Sequence, residues 1–344
     1  MTLLVPPLLK RGDTIAFFSP SSAATAWAPN RFARAKAFLE GQGFRLKAGC
    51  LTGQQDHWRS GSIAARAEEL NALIRDPEVR CIMSVIGGSN SNSLLPYLDF
   101  EALRRDPKII VGYSDVTALL LGIHAQTGLV TFYGPALVAS FGELPPLVDE
   151  TLASFLQIAL ADLADLADEA GVPCTLPTPA QWSDERLDWE NQTRAKRCQP
   201  NRLISVGSGR VEGRLIGGNL NTMAGIWGSP YMPAIERGDI LLLEDSLKSA
   251  ETLERSFAHL KLCGVFDRIG ALILGKHELF NDQGSGKRPL DILLEVVGEP
   301  DFPILAEFDC AHTHPMLTLP LGIEVALDLD RQQLTLLEPW WRAE

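Results

Sequence analysis

The first 135 residues repeat one pattern: an apolar run that breaks into small polar residues and then into a helix-like stretch. "DTIAFFSPSS" reads as a strand ending in a polar turn, and "NRFARAKAFLEGQGF" as a helix closed by glycine. "CIMSVIGGSNSNSLLPYLDF" gives a strand, a glycine-rich turn and a short helix. "KIIVGYSDVTALLLGIHAQTG" gives strand, turn and helix again. Strands alternating with helices favour a parallel sheet covered on both sides. The ligand crevice of such a sheet lies beyond the carboxyl ends of its strands, where Ser19, Gly87 and Ser114 fall.

Ser114 stands at the corner between an apolar strand and a helix whose Val116, Leu119, Leu120 and Ile123 follow the i, i+3, i+4, i+7 spacing. Two readings are open there. Serine and aspartate satisfy the free N–H groups of a first helical turn, so Ser114 could be an ordinary cap. It could equally be a nucleophile pushed out of the sheet by a tight turn, with Gly112 letting the backbone come close.

Residues 147–170, "LVDETLASFLQIALADLADLADEA", form a strongly helical acidic stretch. The following thirty or so residues carry prolines, tryptophans and mixed charge with little periodicity, and a loop of that length is either functional or disordered. From about residue 205 the pattern turns to short strands ("GRVEGRLIGG", "DILLLED", "GALILGKHE", "GIEVALDLD", "QQLTLLEP") with one clear helix near 249–262. The expected organisation is an α/β domain over 1–170, a connecting loop over 171–204, and a β-rich α+β domain over 205–344.

A formal charge of −12 argues against a general nucleic-acid binder, while leaving room for a small anionic ligand in a local basic pocket. The basic cluster "RAKRCQPNR" follows the acidic "SDERLDWE", an alternation that reads as a solvated loop. No apolar run approaches the length that spans a bilayer, which argues against a membrane partner. The amino terminus lacks the charge order of a signal peptide, so the cytoplasm is the expected compartment. The six cysteines are scattered with no C-x-x-C pair and are expected to be reduced thiols.

A serine nucleophile needs a base, and only six histidines exist. His312 and His314 stand together in "FDCAHTHPMLTLPLG", with Asp309 and Cys310 nearby. A metal reading of this group is weak, because two ligands without a second cluster do not make a site. The plain alternative is a proline-containing loop with surface histidines. An imidazole base is normally oriented by a carboxylate. "DILLLEDSLKSAETLER" puts Glu244 and Asp245 at the end of an apolar strand; Asp245 suits a helix cap, and Glu244 suits an orienting acid. The G-x-S-x-G motif of α/β-hydrolases is incomplete around Ser114.

"GGSNSNSLLPYLDF", "KIIVGYSDVTALLLG", "RLIGGNLNTMAGIWGSPY", "LLLEDSLKSAETLERSFAHLKLCGVFDRIGALILGKHE" and "CAHTHPMLTLPLG" together resemble the LD-carboxypeptidase family of serine peptidases, in the family's order and over nearly the whole chain. The resemblance implies a Rossmann-like parallel-sheet domain joined to a β-rich α+β domain, with a Ser-Glu-His triad between them. It places the nucleophile on Ser114, the acid on Glu244, the base on His312, and the oxyanion hole on the N–H groups of Gly88 and Asp115. Asp115 opens a helix, where free N–H groups favour negative charge. No metal or cofactor is implied, and a homodimer is.

Ser89 and Asn90 replace the Tyr-Gly usual in peptidoglycan-recycling members, Ser93 replaces an arginine, and Lys248 replaces a glutamate. These departures resemble the microcin C self-immunity peptidases, which implies a peptidyl- or aminoacyl-nucleotide substrate. A lysine suits a phosphate-like group or an aspartyl carboxylate, and a glutamate suits a cationic diaminopimelate end. Lys248 could also be a solvated helix residue. Trp182 or Trp189 is the expected stacking face for a base, unless both only anchor the loop. Asn219 is a candidate polar contact or a turn residue. The alternatives are a muramoyl-tetrapeptide LD-carboxypeptidase and a non-catalytic protein that sequesters a nucleotide-like ligand.

Overall fold

The computed structural model describes residues 2–161 and 172–342. Within them the strands are, in chain order, β1 (Thr14–Phe18), β2 (Arg45–Ala48), β3 (Val79–Ser84), β4 (Ile109–Gly112), β5 (Thr131–Tyr133), β6 (Cys174–Thr175), β7 (Gln181–Trp182), β8 (Gln199–Pro200), β9 (Ile204–Val206), β10 (Arg210–Asn219), β11 (Ile240–Glu244), β12 (Ala271–Gly275), β13 (Ile304–Phe308), β14 (Leu319–Leu321), β15 (Glu324–Asp328) and β16 (Gln333–Leu336).

The first sheet has the order β14-β5-β4-β3-β1-β2. Its β1 to β5 run parallel, as the alternating strand and helix pattern requires. Every residue of β1 and β4 is buried, which is why those runs are continuously apolar rather than alternating. β14 is antiparallel to β5 and comes from the far end of the chain. The segment 205–344 therefore supplies a strand to the first sheet as well as building the second. The helix Thr117–Thr127 after Ser114 is buried on nearly every face, not along one stripe, and ends at Gly128 with φ +74°.

The second sheet has the order β6-β16-β15-β10-β11-β12-β13-β9. Its middle is parallel from β10 to β13, with antiparallel strands on both flanks. The helices Ala250–Leu262 and Pro289–Val297 make the crossovers from β11 to β12 and from β12 to β13. The sequence reading of one clear helix in this half missed the second, whose proline start and Gly298 end are ordinary helix signals. Strand β10 changes partner midway: Arg210–Arg214 pair antiparallel with β15, and Leu215–Asn219 pair parallel with β11. That exchange aligns Asn219 with Glu244 at the carboxyl ends of two parallel strands.

Of the acidic stretch 147–170, the structure gives a helix over Leu147–Ala159; residues 162–170 lie outside the described residues. One contiguous apolar core runs through both sheets. Among the described residues no helix is long and apolar enough to cross a membrane.

Candidate active site

Ser114 follows β4 and has φ +60°, the left-handed region that a non-glycine residue rarely occupies. Such strain persists only where surrounding structure holds it, and it turns the side chain out of the sheet. The hydroxyl caps nothing: neither the short turn Ser114–Val116 nor the following helix has a side-chain cap. A Cβ on Gly87 would lie 2.8 Å from Ser114 Cβ and 3.0 Å from its Oγ, so the glycine-rich turn can approach this corner only as glycine.

Asp115 locks the two turns together. Its Oδ2 accepts the N–H groups of Asn90 (3.0 Å) and Ser91 (2.9 Å), and its carbonyl accepts the Ser91 hydroxyl (2.5 Å). Burial pushes its carboxyl pKa up despite these donors. Among the described residues, the N–H groups of Gly88 and Asp115 have no hydrogen-bond acceptor. The Ser89 N–H is taken by Ser21 Oγ at 3.0 Å.

Glu244 ends β11 and is buried. Its Oε2 accepts His312 Nδ1–H at 2.7 Å, and its Oε1 accepts the Tyr133 hydroxyl at 2.5 Å and Asn219 Nδ2 at 2.9 Å. Burial resists the charge, but His312 and these donors outweigh it and hold Glu244 below the usual carboxylate pKa. Burial likewise resists the imidazolium of His312; the charge and hydrogen bond of Glu244 more than offset it and raise the pKa above the ordinary histidine value. Gly275 makes room for the carboxylate, since a Cβ there would lie 2.8 Å from Glu244 Cβ. The His312 ring also meets Tyr113 edge-on at 4.9 Å.

Tyr133 is a site residue that sequence reasoning missed. On β5 it pairs with Gly112, and its oxygen accepts the Ser114 N–H at 3.4 Å while donating to Glu244. A tyrosine in "VTFYGP" reads as ordinary strand core, and no local pattern marks its hydroxyl.

Ser114 and His312 line one cavity of about 580 Å³, together with Gly88, Ser89, Asn219 and Lys248. Lys248 is not simply a solvated helix residue: its Nζ lies 3.7 Å from Asp245 Oδ1, and its N–H donates to His277 Nε2 at 3.2 Å. Burial and the neighbouring Glu244 push Asp245 up to about 6, and burial pushes His277 down to about 4. Asn219 lines the cavity; its Oδ1 caps the helix Leu220–Ala224, and its Nδ2 donates to Glu244 and Asp245 (3.3 Å).

Trp189 lines the cavity and Trp182 does not. Trp189 stacks on Trp27 at 5.4 Å, and Trp27, a cavity residue absent from the sequence reading, is 44% exposed. Trp182 sits in the β7–β8 hairpin beside Lys276, whose ammonium is 5.4 Å from its ring. Asn90 is also outside the lining. Its Oδ1 is held by Arg66 Nη1 (2.5 Å) and Ser21 Oγ (3.1 Å), which makes it part of the turn's scaffold.

The solvated-loop expectation for 194–202 holds for Arg197 but fails for Lys196, which is buried and lines the cavity. The surface-histidine alternative for His312 and His314 fails too. His314 is buried, and its N–H and C=O pair with Ser183 at 2.9 and 2.8 Å. Asp309 is bound to Lys276 at 2.6 Å. Among the described residues no three His, Cys, Asp or Glu side chains are grouped as a metal site would need.

Parallel strands from both sheets lead to one cavity that holds a strained serine and a histidine bonded to a buried glutamate, an arrangement that suits a serine peptidase. Residues 15–134 match the LD-carboxypeptidase N-terminal domain and residues 212–327 the LD-carboxypeptidase C-terminal domain, so the chain belongs to the LD-carboxypeptidase family. A Vibrio cholerae protein named as a carboxypeptidase is 60% identical over 342 residues, covering 99% of this chain and 100% of that one. The microcin C7 self-immunity protein MccF of Escherichia coli is 54% identical over 344 residues, covering 99% of this chain and 98% of MccF. The structure of MccF with aspartyl sulfamoyl adenosine superposes with a TM-score of 0.95 at 53% identity, over 98% of this chain and 100% of that one. MccF has also been solved with glutamyl sulfamoyl guanosine and, as a tryptophan variant, with adenosine monophosphate.

Proposed function

We propose that this chain hydrolyses the amide joining an acidic aminoacyl or peptidyl group to a nucleotide-like leaving group, through an acyl-enzyme on Ser114. His312 takes the serine proton as Oγ attacks the carbonyl, then returns it to the leaving nitrogen as the amide bond breaks. Water enters with His312 again as base and releases the acid. Glu244 holds the ring by Nδ1–H and stabilises the imidazolium. The N–H groups of Gly88 and Asp115 receive the oxyanion, which forms where a helix starts.

The observation that carries this reading is the composition of the cavity: an aromatic pair, Trp27 and Trp189, on the side of the first sheet, and Lys248 beyond β11. An adenine can lie against the first, and an acidic acyl side chain can reach the second. The aspartyl and glutamyl sulfamoyl nucleosides bound by MccF combine these groups. A second reading, cleavage of a muropeptide tetrapeptide, has its own support. The family includes a murein tetrapeptide carboxypeptidase, and the acids Asp245 and Glu278 in the cavity suit a cationic diaminopimelate end.

The test offers aspartyl sulfamoyl adenosine and a muropeptide tetrapeptide side by side, with products read by mass. Wild type should cleave the first. Lys248→Met should lower its kcat/KM by about tenfold or more, the value of a charge-assisted hydrogen bond, without lowering that for a tetrapeptide. Cleavage of the tetrapeptide alone would transfer the chain to the second reading.

A further inference from the structure

The loop that lines the cavity carries a buried lysine that shares its carboxylate partner with an arginine. Arg31 and Lys196 share one carboxylate, Glu143, at 3.1 and 3.8 Å, and the three side chains are 0%, 5% and 0% exposed. All three nitrogens of Arg31 donate, to Val138 O (2.9 Å), Ala139 O (2.8 Å), Gln192 Oε1 (2.8 Å) and Glu143. Glu143 is occupied as well, by Arg31, by Gln192 Nε2 and by the Leu144 N–H at 2.9 Å. Lys196 is left with a long ion pair and, among the described residues, no hydrogen-bond acceptor for its ammonium. The ammonium is not among the fully buried unpartnered atoms and so opens toward the cavity, while burial of the side chain lowers its pKa in spite of Glu143.

Its position says which ligand group it meets. The guanidinium of Arg31 lies 4.4 Å over the Trp189 ring, which stacks on Trp27, so Lys196 shares its carboxylate with the residue beneath the aromatic wall. Lys248 belongs to the other wall, beyond β11. The third cation of the lining, Arg186, is exposed. Glu278, which also lines the cavity, and Asp184 favour the ammonium through space, but among the described residues neither makes an ion pair with it.

We propose that Lys196 binds the leaving group's anion, the phosphoryl or sulfamoyl unit between the scissile nitrogen and the nucleoside. The two cavity lysines then divide the substrate, Lys196 holding the linker and Lys248 the acyl acid. This inference rests on the nucleotide-directed reading above.

The experiment measures the affinities of adenosine monophosphate and adenosine by calorimetry, for wild type, Lys196→Met and Lys196→Arg. Methionine fills the space and leaves Arg31 and Glu143 as a matched pair, so the fold should hold, with Tm as the check. Wild type should prefer the monophosphate by at least about tenfold, the worth of a charge-assisted hydrogen bond. Lys196→Met should erase that preference while adenosine binds as before, and Lys196→Arg should retain most of it. A preference that survives in Lys196→Met overturns the proposal, as does equal loss of both ligands with a lowered Tm. Equal wild-type affinities would overturn it too, while cleavage of aspartyl sulfamoyl adenosine keeps the parent reading. A wild type that binds neither ligand and cleaves only the tetrapeptide removes both.

Discussion

Replacing Tyr133 with phenylalanine deletes one oxygen at the point where the serine corner and the acid meet. The ring stays in the core, so no cavity larger than a hydroxyl opens. Glu244 keeps its bonds to His312 (2.7 Å) and Asn219 (2.9 Å) but loses the 2.5 Å donor, and the Ser114 N–H loses its acceptor. A hydrogen bond to a buried charge contributes about 1.5–3 kcal/mol, a factor of roughly ten to a hundred and fifty. Full misdirection of a triad histidine costs about four powers of ten, so the loss in kcat/KM should fall between these bounds and nearer the lower. With fewer donors, Glu244 becomes more basic and holds the imidazolium more firmly. The acid limb of the pH–rate profile should therefore move upward. The assay is kcat/KM against pH on aspartyl sulfamoyl adenosine, with Tm and adenosine monophosphate affinity as controls. A lowered Tm with kcat/KM within twofold of wild type would show a merely structural hydroxyl and refute the coupling.

Ser114→Ala and His312→Ala should each abolish turnover with ligand affinity kept, and the double variant should lose little more than either alone, because triad members act as a unit. Retention of more than about a tenth of the wild-type rate by Ser114→Ala would remove it as the nucleophile. His312 must be neutral to accept the serine proton, and its pKa is raised from the ordinary 6.5, so the acid limb of kcat/KM should lie above 6.5; a limb at or below it contradicts the pairing with Glu244. Gly275→Ala would set a methyl 2.8 Å from Glu244 Cβ and 3.3 Å from Ala311 Cβ. Overpacking of that kind costs about 1–3 kcal/mol, and here it should appear as a fall in kcat with little change in adenosine monophosphate affinity.

What the sequence could reveal divides by whether the signal is local. Ser114 was legible because strand, glycine, serine and helix follow within a dozen residues, and Glu244 because it ends an apolar run. The parallel core of the second sheet was half legible. The apolar runs of β11, β12 and β13 were visible, but Pro289–Val297 went unread, and without a second crossover the strands looked like an α+β assortment. β14 gives no local sign of its partner, since Leu319–Leu321 pair with Thr131–Tyr133 from the first half of the chain. That pairing also brings the segment after His312 against the strand carrying Tyr133.

Lys196 shows most clearly why charge patterning misleads. Within "SDERLDWENQTRAKR" its charge looks like one of many balanced on a wet surface, and Arg194 does pair locally with Glu185 at 2.8 Å. The carboxylate that shares Lys196 is Glu143, and the cation that competes for it is Arg31. Folding brings these distant charges together under one loop. A solvated loop would leave such a lysine exposed, whereas this one is fastened by Ser183 to His314, by Glu190 to the Asn30 N–H and by Trp189 to Trp27, and so turns Lys196 to the cavity. On the proposed reading the long aperiodic loop carries the recognition chemistry, while the two regular sheets hold the serine, histidine and glutamate.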